Sequence, residues 1–179
     1  MFNLLQRANH LASSATTVLM VLMMAIALTS YISPQEPVEG ASLKMSHLKV
    51  VMGRSNFDRR PRAREFAFAK FDLITDLTPL FTWNTKQVFV FLAAEYSTET
   101  HPDNQVVVWD RIIKSPRFAK INISGGKEKY PMKEITGSFK DVNATFSLWY
   151  NVHPYVGALR TGKVVTTEPY PLPRAISRV

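Results

Sequence analysis

The side chains that could do chemistry in this chain are few and scattered. Its four histidines are His10, His47, His101 and His153. No two stand at metal-ligand spacing, and no His-Glu-x-x-His sequence pairs a zinc site with a general base. His101 and His153 each precede a proline, as turn residues do. Asp72, Asp76, Glu95 and Asp110 could meet in space as an acid–base pair, or stay solvated and paired with lysine and arginine. No Gly-x-Ser-x-Gly elbow presents a nucleophile. Gly125-Gly126 is too short for a phosphate cradle and reads as a turn. This inventory does not compose an active site, and a binding or structural role is expected. An enzyme whose site assembles only in the fold, from Asp110, Glu95 and a histidine, is the competing reading.

Two Asn-x-Ser/Thr tripeptides offer a different chemistry, N-glycosylation, provided the chain enters a glycosylating lumen. Asn143-Ala-Thr145 opens an alternating stretch in which Asn143 and Thr145 oppose Phe146 and Leu148, so the acceptor amide faces solvent. Asn122-Ile-Ser124 is flanked by Ile121 and Ile123, which turns Asn122 outward as well.

What would carry those asparagines across a membrane lies near the N-terminus. Between Arg7 and Glu36 there is no charged side chain, and the stretch contains Thr17-Val-Leu-Met-Val-Leu-Met-Met-Ala-Ile-Ala-Leu28. About 20 mostly apolar residues suffice for a helix to cross a hydrocarbon core. A cleavable secretory leader has a similar layout, with a basic start, an apolar centre and small residues such as Ala25 and Ala27 at the cut. The uncharged stretch runs well beyond both ends of such a leader, which favours an anchor. Basic residues orient it weakly, since Arg7 stands on one side and Lys44 and Lys49 beyond the other.

The remainder is long enough for one domain with its own core. All 14 acidic residues lie from Glu36 onward, as do all but one of the 22 Lys and Arg. There is no cysteine, so stability must come from packing. The one basic cluster, Arg59-Arg-Pro-Arg-Ala-Arg64, reads as a solvated loop before a strand rather than as a surface for nucleic acid or anionic lipid. Short strands separated by turn signals make the fold mainly β, an antiparallel sandwich or barrel. Expected strands include Leu43 to Val51, a stretch from Phe66 to Leu73 whose parity switches and predicts a bulge in that strand, Val88 to Ala94, Val106 to Trp109, and Phe146 to Val152. The strands at Val88 and Val106 are apolar on both parities, as strands covered on both faces are. Phe89 and Phe91 are accordingly expected in the core. Glu168-Pro-Tyr-Pro-Leu-Pro173 is expected to leave the ladder and run over a surface.

The segment Phe81-Thr-Trp-Asn-Thr-Lys-Gln-Val-Phe-Val-Phe-Leu-Ala-Ala-Glu-Tyr96 resembles a stretch of signal peptidase complex subunit 3. The likeness continues through Phe71 to Phe81 before it, Asn104-Gln-Val-Val-Val-Trp-Asp-Arg-Ile-Ile113 after it, and Asn143-Ala-Thr-Phe-Ser-Leu-Trp-Tyr-Asn-Val-His-Pro154. Leu5, Arg7, Ala8 and Asn9 also look like the family's start. The loop Lys127-Glu-Lys-Tyr-Pro-Met-Lys133 departs from animal members and looks more like a fungal one.

The resemblance implies a non-catalytic, single-pass type II glycoprotein of the endoplasmic reticulum membrane, with its C-terminal domain in the lumen and no cofactor. It implies a short cytosolic segment at 1–11, a signal-anchor helix at 12–33, a linker at 34–42, a sandwich at 43–168 and a Pro-rich tail at 169–179. Its partners would be the catalytic serine protease subunit that removes signal peptides, the other small membrane subunits of that hetero-oligomer, and the lipid bilayer. Phe81, Trp83 and Asn84 could contact the protease or close the end of the sandwich. Trp149, a large aromatic on a polar parity, needs a cover, from the partner or from the Pro-rich tail. A secreted or tethered β-sandwich binding module unrelated to proteolysis is the alternative.

Overall fold

A computed structural model describes residues 3–54, 63–98, 101–134 and 138–176. Among these residues helix α1, Leu4–Ile32, is followed by nine strands: β1 Ser42–Arg54, β2 Ala63–Asp76, β3 Thr85–Tyr96, β4 Asn104–Ile113, β5 Lys120–Lys127, β6 Met132–Lys133, β7 Asn143–Pro154, β8 Arg160–Thr166 and β9 Tyr170–Pro171. Single 3₁₀ turns at Thr78–Leu80 and Pro116–Phe118 are the other helical pieces among the described residues. At 1.5 Å per residue α1 is about 44 Å long, more than a hydrocarbon core requires. It begins ahead of the expected boundary at 12 and is long and apolar enough to cross a membrane.

The strands form two antiparallel sheets. One has the order β1-β2-β5, with β6 also on β2; the other runs β4-β3-β7-β8, with β9 beside β7. Side chains alternate across each strand, so one face of each sheet meets the other sheet. Phe71, Leu73 and Ile121 from the first sheet pack on Val90, Leu92, Phe146 and Leu148 from the second. The Phe71 and Trp109 rings meet edge to face across the gap, 5.6 Å between centroids. The expected alternation in β7 is present, with Phe146, Leu148 and Val152 buried.

Three expectations change. β2 has no parity switch: Ala67, Ala69, Phe71 and Leu73 all point inward, and Phe68 points out. The irregularities sit in its neighbours, between Ser46 and Lys49 of β1, where His47 takes a positive φ, and between Ile123 and Gly126 of β5. An extra residue in a partner strand shifts the pairing without turning β2 over. β4 is an edge strand rather than a covered one, and a bulge brings Val108 and Trp109 inward in succession while Val107 is exposed. The tail is not laid over a surface: Tyr170–Pro171 pairs with Asn143 and Ala144, and Leu172 is buried in the core. Pro171 is tolerated because β9 is a two-residue edge piece. Except for Ala63 and Arg64, the Arg59–Arg64 cluster lies outside the described residues, as do Thr136 and Gly137.

Candidate interaction surface

The second sheet turns a row of aromatic side chains away from the core. Phe89 and Phe91 stand two residues apart on β3, and Trp149 faces Phe91 from β7. The two phenyl rings stack at 5.6 Å, and Phe91 lies nearly parallel to Trp149 at 6.5 Å. Phe89 and Phe91 are therefore not core residues, which corrects the reading from their apolar strand. Both parities of β3 are apolar, so the pattern could not say which one the opposite sheet covers. Ile112, half exposed, faces Phe89 from β4.

Trp149 carries part of its cover within the chain. Its indole N–H donates to Glu95 Oε1 at 3.1 Å, and the Lys163 ammonium sits 4.6 Å from its ring centroid. Lys163 also pairs with Glu95 at 3.4 Å. Burial pushes the Glu95 carboxyl up, but bonds from Trp149 and Ser147 and the Lys163 charge outweigh it and hold the group below its ordinary range.

At the base of the sandwich, Phe81, Trp83 and Asn84 separate. Phe81 packs against the core. Asn84 is 3% exposed, and its side chain is spent inside the molecule: Nδ2 donates to Val156 O at 2.7 Å and Ser30 Oγ at 3.0 Å, and Oδ1 accepts the Val156 N–H at 3.2 Å. These two close the end of the sandwich. Trp83 turns outward and is 69% exposed.

Arg160, which no motif singled out, holds the helix end. Its guanidinium donates to the carbonyls of Ser30, Tyr31 (2.6 Å) and Ser33 (3.0 Å). The last carbonyls of a helix have no intrahelical donor and carry partial negative charge, so a cation there both satisfies and neutralises them.

Both sequons are accessible. Asn143 is exposed at the first residue of β7, on the same face as Trp149 but six residues, or about 20 Å, up the strand. Asn122 is exposed on edge strand β5, opposite Ile74.

The comparisons with known proteins agree over nearly the whole length. The family described as "Signal peptidase subunit" matches residues 1–175. The chain belongs to the signal peptidase subunit family. It is similar to signal peptidase complex subunit 3 of Saccharomyces cerevisiae, 36% identical over 92% of this chain and 93% of the relative. The subunit 3 of Schizosaccharomyces pombe is 34% identical over 87% and 86%, and that of Gallus gallus 32% identical over 96% and 95%. The expected likeness to fungal members is thus present alongside one to animal members.

The segments that resemble the signal peptidase subunit family form the β2–β3 turn with β3, then β4, then β7. They build the aromatic face and the base. The carboxylates weighed for acid–base work are not brought together there. Glu95 pairs with Gln105 and Asp110 with Phe91, four residues apart along the ladder, or about 13 Å. Asp110 is held by Lys129 at 3.2 Å, Asp76 by Thr78 and Lys120, and Asp72 accepts the Gly125 N–H. Two Ser-x-x-Lys spacings, Ser46 to Lys49 and Ser124 to Lys127, fall at the two bulges, and the Ser46 hydroxyl donates to the Lys70 carbonyl. Among the described residues no group of three or more His, Asp or Glu could hold a metal.

Proposed function

We propose that this chain is the non-catalytic, type II subunit of an endoplasmic reticulum signal peptidase, and that its luminal sandwich binds and stabilises the serine protease subunit. The observation that carries this reading is the Phe89–Phe91–Trp149 row with Ile112: an ordered apolar strip on the outside of a sheet, in a chain of this family. Burying such a strip against a partner adds stability that the separate chains lack. Trp149, already oriented by Glu95 and Lys163, is pre-organised for such a contact, which lowers the entropy cost of docking. Asn143, at the far end of the face, leaves a glycan clear of the strip. Helix α1 runs unbroken through Ala25 and Ala27 to Ile32, which supports an uncleaved anchor over a removed leader.

The test is affinity purification of the tagged full chain in mild detergent, with bound proteins and the N-terminus identified by mass spectrometry. Wild type should recover a membrane serine protease with the other small subunits and retain residues before Ala25. Phe91→Ala with Trp149→Ala should reduce the recovered protease at least tenfold, about 1.4 kcal/mol or more. A lone chain beginning near Leu28 would instead mean a secreted module.

A further inference from the structure

The base of the sandwich sits lower on the helix than a domain held clear of the membrane would. Of the described residues of α1, all are exposed except Ile26, Ala27 and Ser30, which form one face and are partly covered. The β7–β8 loop meets Ala27, and Asn84 of the β2–β3 turn meets Ser30. Gly157 has φ +120°, which favours glycine, and its Cα hydrogen position faces Ala27: a Cβ there would lie 3.5 Å from the Ala27 Cα. Ala27 precedes the helix end at Ile32 by five residues, so the loop reaches about 8 Å back along the axis.

The loop is built for that depth. From Pro154 to Leu159 it has no charged side chain, and neither has the β2–β3 turn between Asp76 and Lys86. Yet these two turns expose Trp83 at 69%, Tyr155 at 68% and Leu159 at 62%. Irregular backbone is tolerated in lipid only where its polar groups are satisfied internally. Here Asn84 satisfies both the N–H and the C=O of Val156, and its own carbonyl accepts the Tyr155 N–H at 2.8 Å. Arg160 does the same for the helix carbonyls. Trp and Tyr beside a spanning helix are the residues that settle at the headgroup level.

We propose that the β7–β8 loop and Trp83 are embedded in the bilayer interface, so that the sandwich rests in lipid through Trp83, Tyr155 and Leu159. The inference rests on α1 being a membrane anchor, and the experiment separates the two. The chain has no cysteine, so single labels can be placed at will. Full-length Tyr155→Cys, Leu159→Cys, Asp103→Cys at the opposite end and Met23→Cys within α1 are labelled with an environment-sensitive fluorophore. Each is reconstituted alone into phosphatidylcholine vesicles with and without nitroxide-bearing lipid. Labels at 155 and 159 should be quenched by the nitroxide lipid and shielded from aqueous iodide by about threefold or more relative to 103, as for groups 5–10 Å into the interface. If the label at 23 is quenched by lipid but those at 155 and 159 behave like 103, the loop is not embedded and the inference fails alone. If 23 is not quenched, the anchor fails with it. Shielding from iodide without lipid quenching would mean protein contact, which also overturns the proposal.

Discussion

The two ends of the sandwich close their turns in opposite ways. At the end far from α1, the turn after β3 is held by short-range bonds in the open: Thr98 N–H and Oγ1 donate to the His101 carbonyl, and Asn104 Nδ2 donates to the same oxygen at 2.8 Å. At the helix end, Asn84 and Arg160 reach across the fold to backbone groups distant in sequence, and Asn84 is almost wholly buried. Water can replace any bond in the first turn. Asn84 itself is shut off from bulk water, so its own amide takes protein partners, beside a cavity lined by Ser30, Asn84 and Arg160. The difference teaches where solvent is expected: one end is designed to be wet, the other to do without.

Asn84→Ala should show this contrast most strongly. It orphans the Val156 N–H and carbonyl together, and unfolding of the full chain in detergent should show a loss of about 3 kcal/mol. A loss under ~0.5 kcal/mol would mean water already reaches the base, and the comparison breaks. Arg160→Ala comes next, at about 2 kcal/mol, for the lost carbonyl bonds and helix-end charge. Protease nicking between α1 and β1 should rise with it.

Glu128, on the side of the sandwich between the two ends, gives an intermediate case. Its carboxylate accepts the Ala69 N–H at 3.0 Å, beside the point where β2 exchanges β5 for β6 as neighbour, and its other oxygen is buried without a partner. Burial, only partly offset by that bond, pushes the carboxyl up to about 7. The folded chain therefore holds this proton more tightly than the unfolded one. Stability must fall as pH rises from the ordinary glutamate range through 7. Glu128→Gln keeps an oxygen for Ala69 and removes the charge, so it should flatten that fall. The gain at pH 8 should be about 1 kcal/mol, discounted for partial exposure. Thr98→Val at the wet end is the smallest effect, about 0.5 kcal/mol or less. A loss matching that of Asn84→Ala would erase the distinction between the ends.

Much of the architecture could be read from pattern. β7 alternates apolar and polar residues cleanly, and its buried face is the one its sequence marks. The long apolar helix was legible because no charge interrupts it. Less was legible where both parities are apolar, as at Phe89 and Phe91, since periodicity assigns residues to a face without saying which face is covered. At β2 the bulges belong to the neighbouring strands, and a strand's own sequence carries no trace of its partners' extra residues. Trp149 was found because a large ring on a polar parity is out of place. Arg160 was not: an arginine opening an edge strand looks like any solvated cation until the helix end is set beside it.

The tail has a consequence for the order of assembly. Ile176 N–H donates to the Val50 carbonyl, and Ile176 bridges Val51, so edge strand β1 receives this bond from a residue at the opposite end of the soluble domain. During synthesis β1 is among the first strands to emerge and the last to be finished. Until Leu172 reaches the core, the open side between β1 and β9 exposes apolar surface and unpaired backbone. Contacts so distant in sequence form late and slowly. The nascent sandwich therefore passes through a stage with a sticky flank, and the period of greatest risk ends when its last strand is threaded into place.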